Sequence, residues 1–102
     1  MTPEGRVKDS VKKWLKTNGI WYFMPAANGF GKAGIPDFIA CYEGRFVAIE
    51  TKAPGKIDNL TENQKARIEE IRRAGGVAVV VDSPLALEES FRGIDIANSD
   101  FR

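Results

Sequence analysis

The chain has 102 residues, 43% hydrophobic and 28% charged, with 15 basic against 14 acidic side chains and a formal net charge of +1. That length fits one domain over residues 1–102, and no apolar run approaches the roughly 18 residues of a membrane span, so a soluble, cytoplasmic protein is expected. Histidine is absent, which excludes Ser-His-Asp catalysis and His-ligated metals and leaves oxygen-built sites for Mg²⁺, Mn²⁺ or Ca²⁺.

Cys41 is the sole cysteine. It excludes an intrachain disulfide or a zinc site of several thiolates, and within Phe38-Ile39-Ala40-Cys41 it reads as a buried strand thiol. The near-neutral charge does not exclude nucleic acid, because the basic residues cluster unevenly and a local patch can face phosphate.

Thr2-Pro3-Glu4 is a helix start, with Thr2 as N-cap and Pro3 at the first helical position. Val7, Val11, Trp14 and Leu15 then form the apolar stripe of a helix that ends near Gly19. Met1 to Gly19 holds no continuous apolar stretch and so reads as a charged helix, not a signal peptide. Glu4 lies three residues before Val7 and belongs to the inward stripe, whereas Lys8, Lys12, Lys13 and Lys16 fall on the other faces. Ile20 to Met24 reads as a strand stopped by Pro25, and Ala26 to Gly34 as a loop.

Asp37 to Tyr42 and Phe46 to Lys52 read as a hairpin turning at Glu43-Gly44-Arg45. A helix begins at Thr61, which has capping-box spacing to Gln64, and runs to Gly75-Gly76. Val77 to Val81 is wholly apolar, the mark of a strand buried on both faces. Ser83-Pro84 starts a short last helix to about Phe91, followed by a polar tail. The order α-β-β-β-α-β-α places an antiparallel hairpin before a helical crossover to a parallel strand, which predicts an α/β fold with a mixed sheet.

Charged residues sit at the ends of these apolar stretches. A hairpin turning symmetrically about Glu43-Gly44 sets Asp37 directly opposite Glu50, with Cβ atoms about 4.5–5.5 Å apart. Two carboxylates so placed repel unless a divalent cation lies between them. Lys52 is two residues beyond Glu50 and shares its face. Glu4 from the first helix and the backbone carbonyl of Thr51 are candidates to complete such a site. Gln64 joins Ile68 and Ile71 on one helical stripe, so it is expected to point inward as well as to cap. Taken singly these residues also fit blander roles: a turn residue at Asp37, and an exposed charged strand face at Glu50 and Lys52. Three separate placements agreeing on one volume favour the metal site.

Gly29-Phe30-Gly31-Lys32-Ala33-Gly34 matches the spacing G-x-G-x-x-G. A dinucleotide site needs a helix opening on those glycines, and here Ile35-Pro36 leads into a strand. A glycine loop beside the site, with Phe30 and Lys32 as stacking and phosphate contacts, is the better reading. Lys8, Lys12 and Lys56, with Arg67, Arg72 and Arg73, are further candidates to track a phosphate backbone.

The residues Ile35-Pro36-Asp37, Glu50-Thr51-Lys52 and Thr61-x-x-Gln64, with Ala53-Pro54-Gly55-Lys56 following, resemble the PD-(D/E)xK nuclease superfamily. Within it they are most similar to the VRR-NUC family of small stand-alone, often phage-encoded, nucleases. The resemblance runs from Glu4 to about Ser83 and implies a restriction-endonuclease-like αβββαβ core. By that resemblance Glu4, Asp37 and Glu50 are acidic ligands of Mg²⁺ or Mn²⁺, and Thr51 adds its carbonyl. Lys52 orients or activates the attacking water, and Gln64 is the family's active-site glutamine. The loop from Asn28 to Gly34 is shorter than in longer members, and no additional DNA-binding domain is present. Stand-alone members resemble Holliday-junction resolvases acting as homodimers on branched DNA, in the host cytoplasm where phage-encoded. A flap or duplex nuclease and a non-catalytic DNA-binding module are the alternatives, and the intact acid set with Lys52 argues against the last.

Overall fold

The computed structural model describes residues 1–26 and 31–99; Phe30, a candidate stacking residue, lies outside them. Helix α1 covers Pro3–Thr17. The Thr2 hydroxyl accepts from the Gly5 amide at 3.0 Å, Pro3 opens the first turn, and Gly19 takes the left-handed conformation (φ 64°) just past the last turn. Val7, Val11 and Leu15 are buried, as the stripe predicts.

Strands β1 (Trp21–Phe23), β2 (Phe38–Tyr42), β3 (Arg45–Thr51) and β4 (Val77–Val81) form one sheet in the order β1-β2-β3-β4. β1, β2 and β3 are antiparallel, and β4 joins β3 in parallel after helix α2 (Glu62–Arg73). This is the expected mixed α/β sheet flanked by helices. The β2–β3 connection is a two-residue turn with φ 50° at Glu43 and 77° at Gly44. Positive φ at both central positions matches the right-handed twist of the strands, and glycine takes one of them without strain. Phe38 pairs with Ile49 and Tyr42 with Arg45, so the symmetric register holds along the whole hairpin.

Val7, Val11, Leu15, Phe38, Val47, Ile49, Leu87, Phe91 and Ile94 belong to the main core, on the sheet face shared by α1 and helix α3 (Pro84–Ser99). A smaller core of Ala48, Ile68 and Ala78 lies under α2 on the other face.

Three expectations are corrected here. β4 is an edge strand whose Val77, Val79 and Val80 are only partly covered, because among the described residues no strand pairs with its outer side. Cys41 is exposed, since its side of β2 points to the face where the α2 cluster reaches Ile39 but not the Cys41 end of the strand. Helix α3 continues two turns beyond Phe91, because Ile94 is buried in the main core and Asp95 accepts a 2.6 Å hydrogen bond from Tyr42. That bond is the chief reason the Tyr42 phenol is pushed up to about 12, with burial and the Asp95 charge adding to it.

Candidate metal and active centre

The candidate site lies where β2 begins and β3 ends. Asp37 immediately precedes β2, one step beyond the Phe38–Ile49 pair, and therefore faces Glu50 on β3 as the register requires. Its Oδ2 accepts from the Thr51 amide at 2.9 Å and from the Thr51 hydroxyl at 2.6 Å. Its Oδ1 lies 3.5 Å from the Lys8 ammonium. One carboxylate oxygen is thus spent on fixing the side chain, and the other faces a cation.

Glu50 is 4% exposed and Lys52 is 7% exposed, although both are charged residues. Lys52 is held just past β3 by its amide, which donates to the Val81 carbonyl at 3.0 Å. Its Nζ donates to Gln64 Oε1 at 2.9 Å, and Gln64 Nε2 donates to Glu50 Oε2 at 3.3 Å. Gln64 also closes a capping box: its Oε1 accepts from the Thr61 amide at 3.0 Å while its own amide donates to the Thr61 hydroxyl at 3.1 Å. The two roles foreseen for this residue are carried by one side chain, so the first turn of α2 is locked to the strand that bears Glu50 and Lys52.

Burial pushes the Glu50 carboxyl up to about 8, and the charge of Asp37 adds to the rise; Lys52 works against it, Glu4 for it, and Lys8 against it. Removal from water, more than any neighbouring charge, makes this carboxylate reluctant to ionise. Among the described residues no three acidic or cysteine side chains stand close enough to hold an ion by themselves. The three-carboxylate set of Glu4, Asp37 and Glu50 is therefore not assembled. Glu4 lies near enough for its charge to act on Glu50, but Lys8, one turn along α1, takes the place beside Asp37. Glu4 and Lys8 are spaced i,i+4, the signal in the sequence that they share a side of α1.

A cleft of about 720 Å³ opens beside Asp37, lined by Lys8, Met24, Lys32, Ile35 and Pro36 among others. Its outer wall is tied to α2. Arg67 donates to the Ala33 carbonyl at 3.2 Å, Lys32 lies 3.5 Å from Glu70, and the Gly34 backbone lies against Asn63 and the Gln64 amide. A Cβ at Gly34 would stand 2.4 Å from the Asn63 carbonyl carbon, and φ there is +85°. The composition of the loop gave no hint of this contact.

The proposed phosphate-facing cations divide. Lys8 and Lys32 reach the cleft, whereas Lys12 is half-buried on α1 and Lys56 is exposed. The α2 arginines are engaged within the chain: Arg72 donates to the Ala78 carbonyl at 2.7 and 3.1 Å, Arg73 pairs with Glu69, and Arg67 binds Glu70. No described helix is long and apolar enough to cross a membrane.

Comparison with known proteins agrees with this geometry. A solved structure titled "VRR_NUC domain" superposes with a TM-score of 0.66 at 24% identity, covering 93% of this chain and 97% of that one. At that identity the likeness speaks for the fold. No curated protein matches the sequence. The VRR-NUC domain model matches residues 18–84, about two-thirds of the chain, and takes in Asp37, Glu50, Thr51, Lys52 and Gln64 while leaving α1 with Glu4 and Lys8 outside. The chain belongs to the VRR-NUC domain family, and that membership implies a nuclease-type function.

Proposed function

We propose that the chain is an endodeoxyribonuclease of the PD-(D/E)xK type, dependent on Mg²⁺ or Mn²⁺, that acts as a homodimer on branched DNA as a Holliday-junction resolvase. The observation that carries the reading is the run Lys52–Gln64–Glu50 set beside Asp37, with an ammonium and two carboxylates held at fixed positions by backbone-anchored partners.

The donor set fits a hard divalent cation. Asp37 and Glu50 offer carboxylate oxygens, the Thr51 carbonyl is a third donor, and Glu4 adds charge from α1, in a chain without imidazole. When bound there, such an ion acidifies water and neutralises charge on the scissile phosphate, which makes a histidine base unnecessary.

The chain's own residues supply the rest. Gln64 holds the Lys52 ammonium toward the reacting volume, where it orients the attacking water and offsets the negative charge that grows on phosphorus-bound oxygen. In hydrolysis the water oxygen bonds to phosphorus, the bond to one sugar oxygen breaks, and that oxygen takes up a proton. Asp37, pinned by Thr51, sets one wall of the site, and the Lys8 and Lys32 side of the cleft receives the phosphate backbone. A homodimer accords with the small size of the domain, since one copy offers few phosphate contacts and a two-fold junction presents two scissile strands.

The test compares labelled four-way junction, flap, duplex and single strand, with Mg²⁺ or Mn²⁺ and with chelator. The expected result is preferential junction cleavage that chelator abolishes and Lys52→Ala removes while DNA binding persists. Undiminished cleavage by Lys52→Ala would sink the mechanism, and equal rates on all four substrates would reject the resolvase assignment.

A further inference from the structure

The two faces of the sheet are covered unequally. On one, α1 and α3 close over β1 to β4. On the other, α2 packs over Ala48, Ala78 and Val80, with Ile39 of β2 at the margin of that cluster, and among the described residues β1 and the Cys41 end of β2 stay exposed.

The strand registers align Trp21, Cys41 and Phe46 in one row across β1, β2 and β3. Trp21 is 64% exposed and Phe46 48%, and Phe23, two residues along β1 on the same face, is 47% exposed. Trp21 and Phe23 touch edge to face, with ring centroids 5.9 Å apart. The row contains no charged side chain. Exposed aromatic groups on neighbouring strands are the kind of contiguous apolar patch that soluble monomers seldom leave open.

Next to Phe46 the face dips. Phe46, Ile71, Ala74 and Gly76, with Glu70 at the rim, enclose a groove of about 390 Å³. Its floor depends on the missing side chain of Gly76, where a Cβ would stand 2.8 Å from Ile71 Cγ2 and 3.2 Å from Phe46. One face thus carries a projecting indole and, two strands away at about 4.8 Å per strand, an apolar recess.

We propose that this face is a two-fold interface with a second copy of the chain. An axis running beside Cys41, parallel to the strands, sets Trp21 of each protomer over the partner's Phe46–Ile71 groove and brings the two Cys41 thiols together. An isologous contact requires projection and recess on the same patch, because residue i meets j and j meets i. The exposed parts of the three aromatics amount to on the order of 300 Å². That suits the apolar centre of a stable interface, which needs roughly 800 Å² per partner including its polar rim. Nucleic acid is the poorer occupant, since the row has no cation to meet phosphate. The inference rests on the homodimer in the proposed function and gives it an address.

The test is sedimentation velocity of the full chain, alone and with four-way junction, for wild type, Trp21→Glu and Phe46→Glu. Folding is checked by circular dichroism, and a short bis-maleimide reports on Cys41. The interface predicts a wild-type dimer, a dissociation constant raised roughly thirtyfold or more by either charge, and a covalent dimer of twice 11.3 kDa from the single cysteine. A wild-type dimer that survives both substitutions and gives no cross-link overturns this face and leaves the homodimer standing. A wild type that is monomeric with and without DNA overturns both. Should one variant misfold, the other and the wild-type cross-link still decide the matter.

Discussion

The Lys52 ammonium donates to Gln64 Oε1 at 2.9 Å, and the same oxygen accepts from the amide that begins α2. A helix cap and a candidate catalytic lysine therefore share one acceptor. Thr61→Ala removes half of the capping box and is expected to cost about 1 kcal/mol of stability while leaving most of the cleavage rate. Gln64→Ala also unties Lys52 and Glu50, so its kcat should fall by roughly tenfold or more, consistent with losing a group that positions the reacting centre. Thermal melts and single-turnover cleavage on the pair separate the two contributions; equal losses of rate would refute the division.

Glu50 ties stability to pH. Its carboxyl titrates near 8 in the folded chain against 4.5 when free. A raised acid pKa favours proton uptake by the native state. Its contribution is therefore fully present below about 4.5, is lost as pH rises toward 8, and stays lost above that. At about 1.4 kcal/mol per unit the span amounts to a few kcal/mol. Glu50→Gln should stabilise the metal-free protein more at alkaline than at mildly acidic pH and should abolish cleavage. Mg²⁺ should flatten the wild-type dependence. Melting curves against pH, with chelator and with Mg²⁺, would expose the error if the Glu50→Gln difference were constant.

Lys8 occupies the side of Asp37 that would face a bound cation. In Lys8→Ala, Mn²⁺ affinity without DNA is expected to rise severalfold, since a like charge is removed from beside the ion, and DNA affinity to fall. Because losing the Lys8 charge also pushes the Glu50 carboxyl up further, the comparison is made by calorimetry over a series of pH values reaching well above 8. Weaker Mn²⁺ binding in the variant would show that Lys8 does not compete for Asp37.

Gly34 and Gly55 make a matched pair. Both have positive φ, 85° and 77°, but a Cβ at Gly34 meets the α2 backbone whereas at Gly55 nothing lies within 4 Å. Gly55→Ala should cost about 1 kcal/mol from backbone strain alone. Gly34→Ala should cost clearly more and should lower cleavage as well, because the collision falls on the turn that presents Gln64. Denaturant titration of both variants decides; equal losses would mean that the close approach at Gly34 is relieved cheaply.

Much of this was readable in the chain. The hairpin followed from Glu43-Gly44, two residues that tolerate positive φ, and with it came the facing of Asp37 and Glu50. The dual role of Gln64 followed from capping spacing combined with the apolar stripe of α2. Burial was harder to read, because alternation along a strand tells which residues share a face but not how far a helix extends over it. Cys41 and Val79 were misjudged for that reason. The second half of α3 was missed because Ile94 and Asp95 find their partners in α1, β2 and the main core, not in their own neighbourhood. Lys8 reaches Asp37 across elements 29 positions apart in sequence, a pairing that no local pattern announces.

The tight turn at Glu43-Gly44 restricts how this protein can change in size. Asp37 and Glu50 each stand six positions from the turn, on opposite strands. One extra residue within either strand would turn its acid to the far side of the sheet unless a bulge or a longer turn absorbed it, whereas equal extension of both strands at the turn leaves the pair facing each other. The hairpin can therefore lengthen at its remote end only in ways that keep the two strands in step.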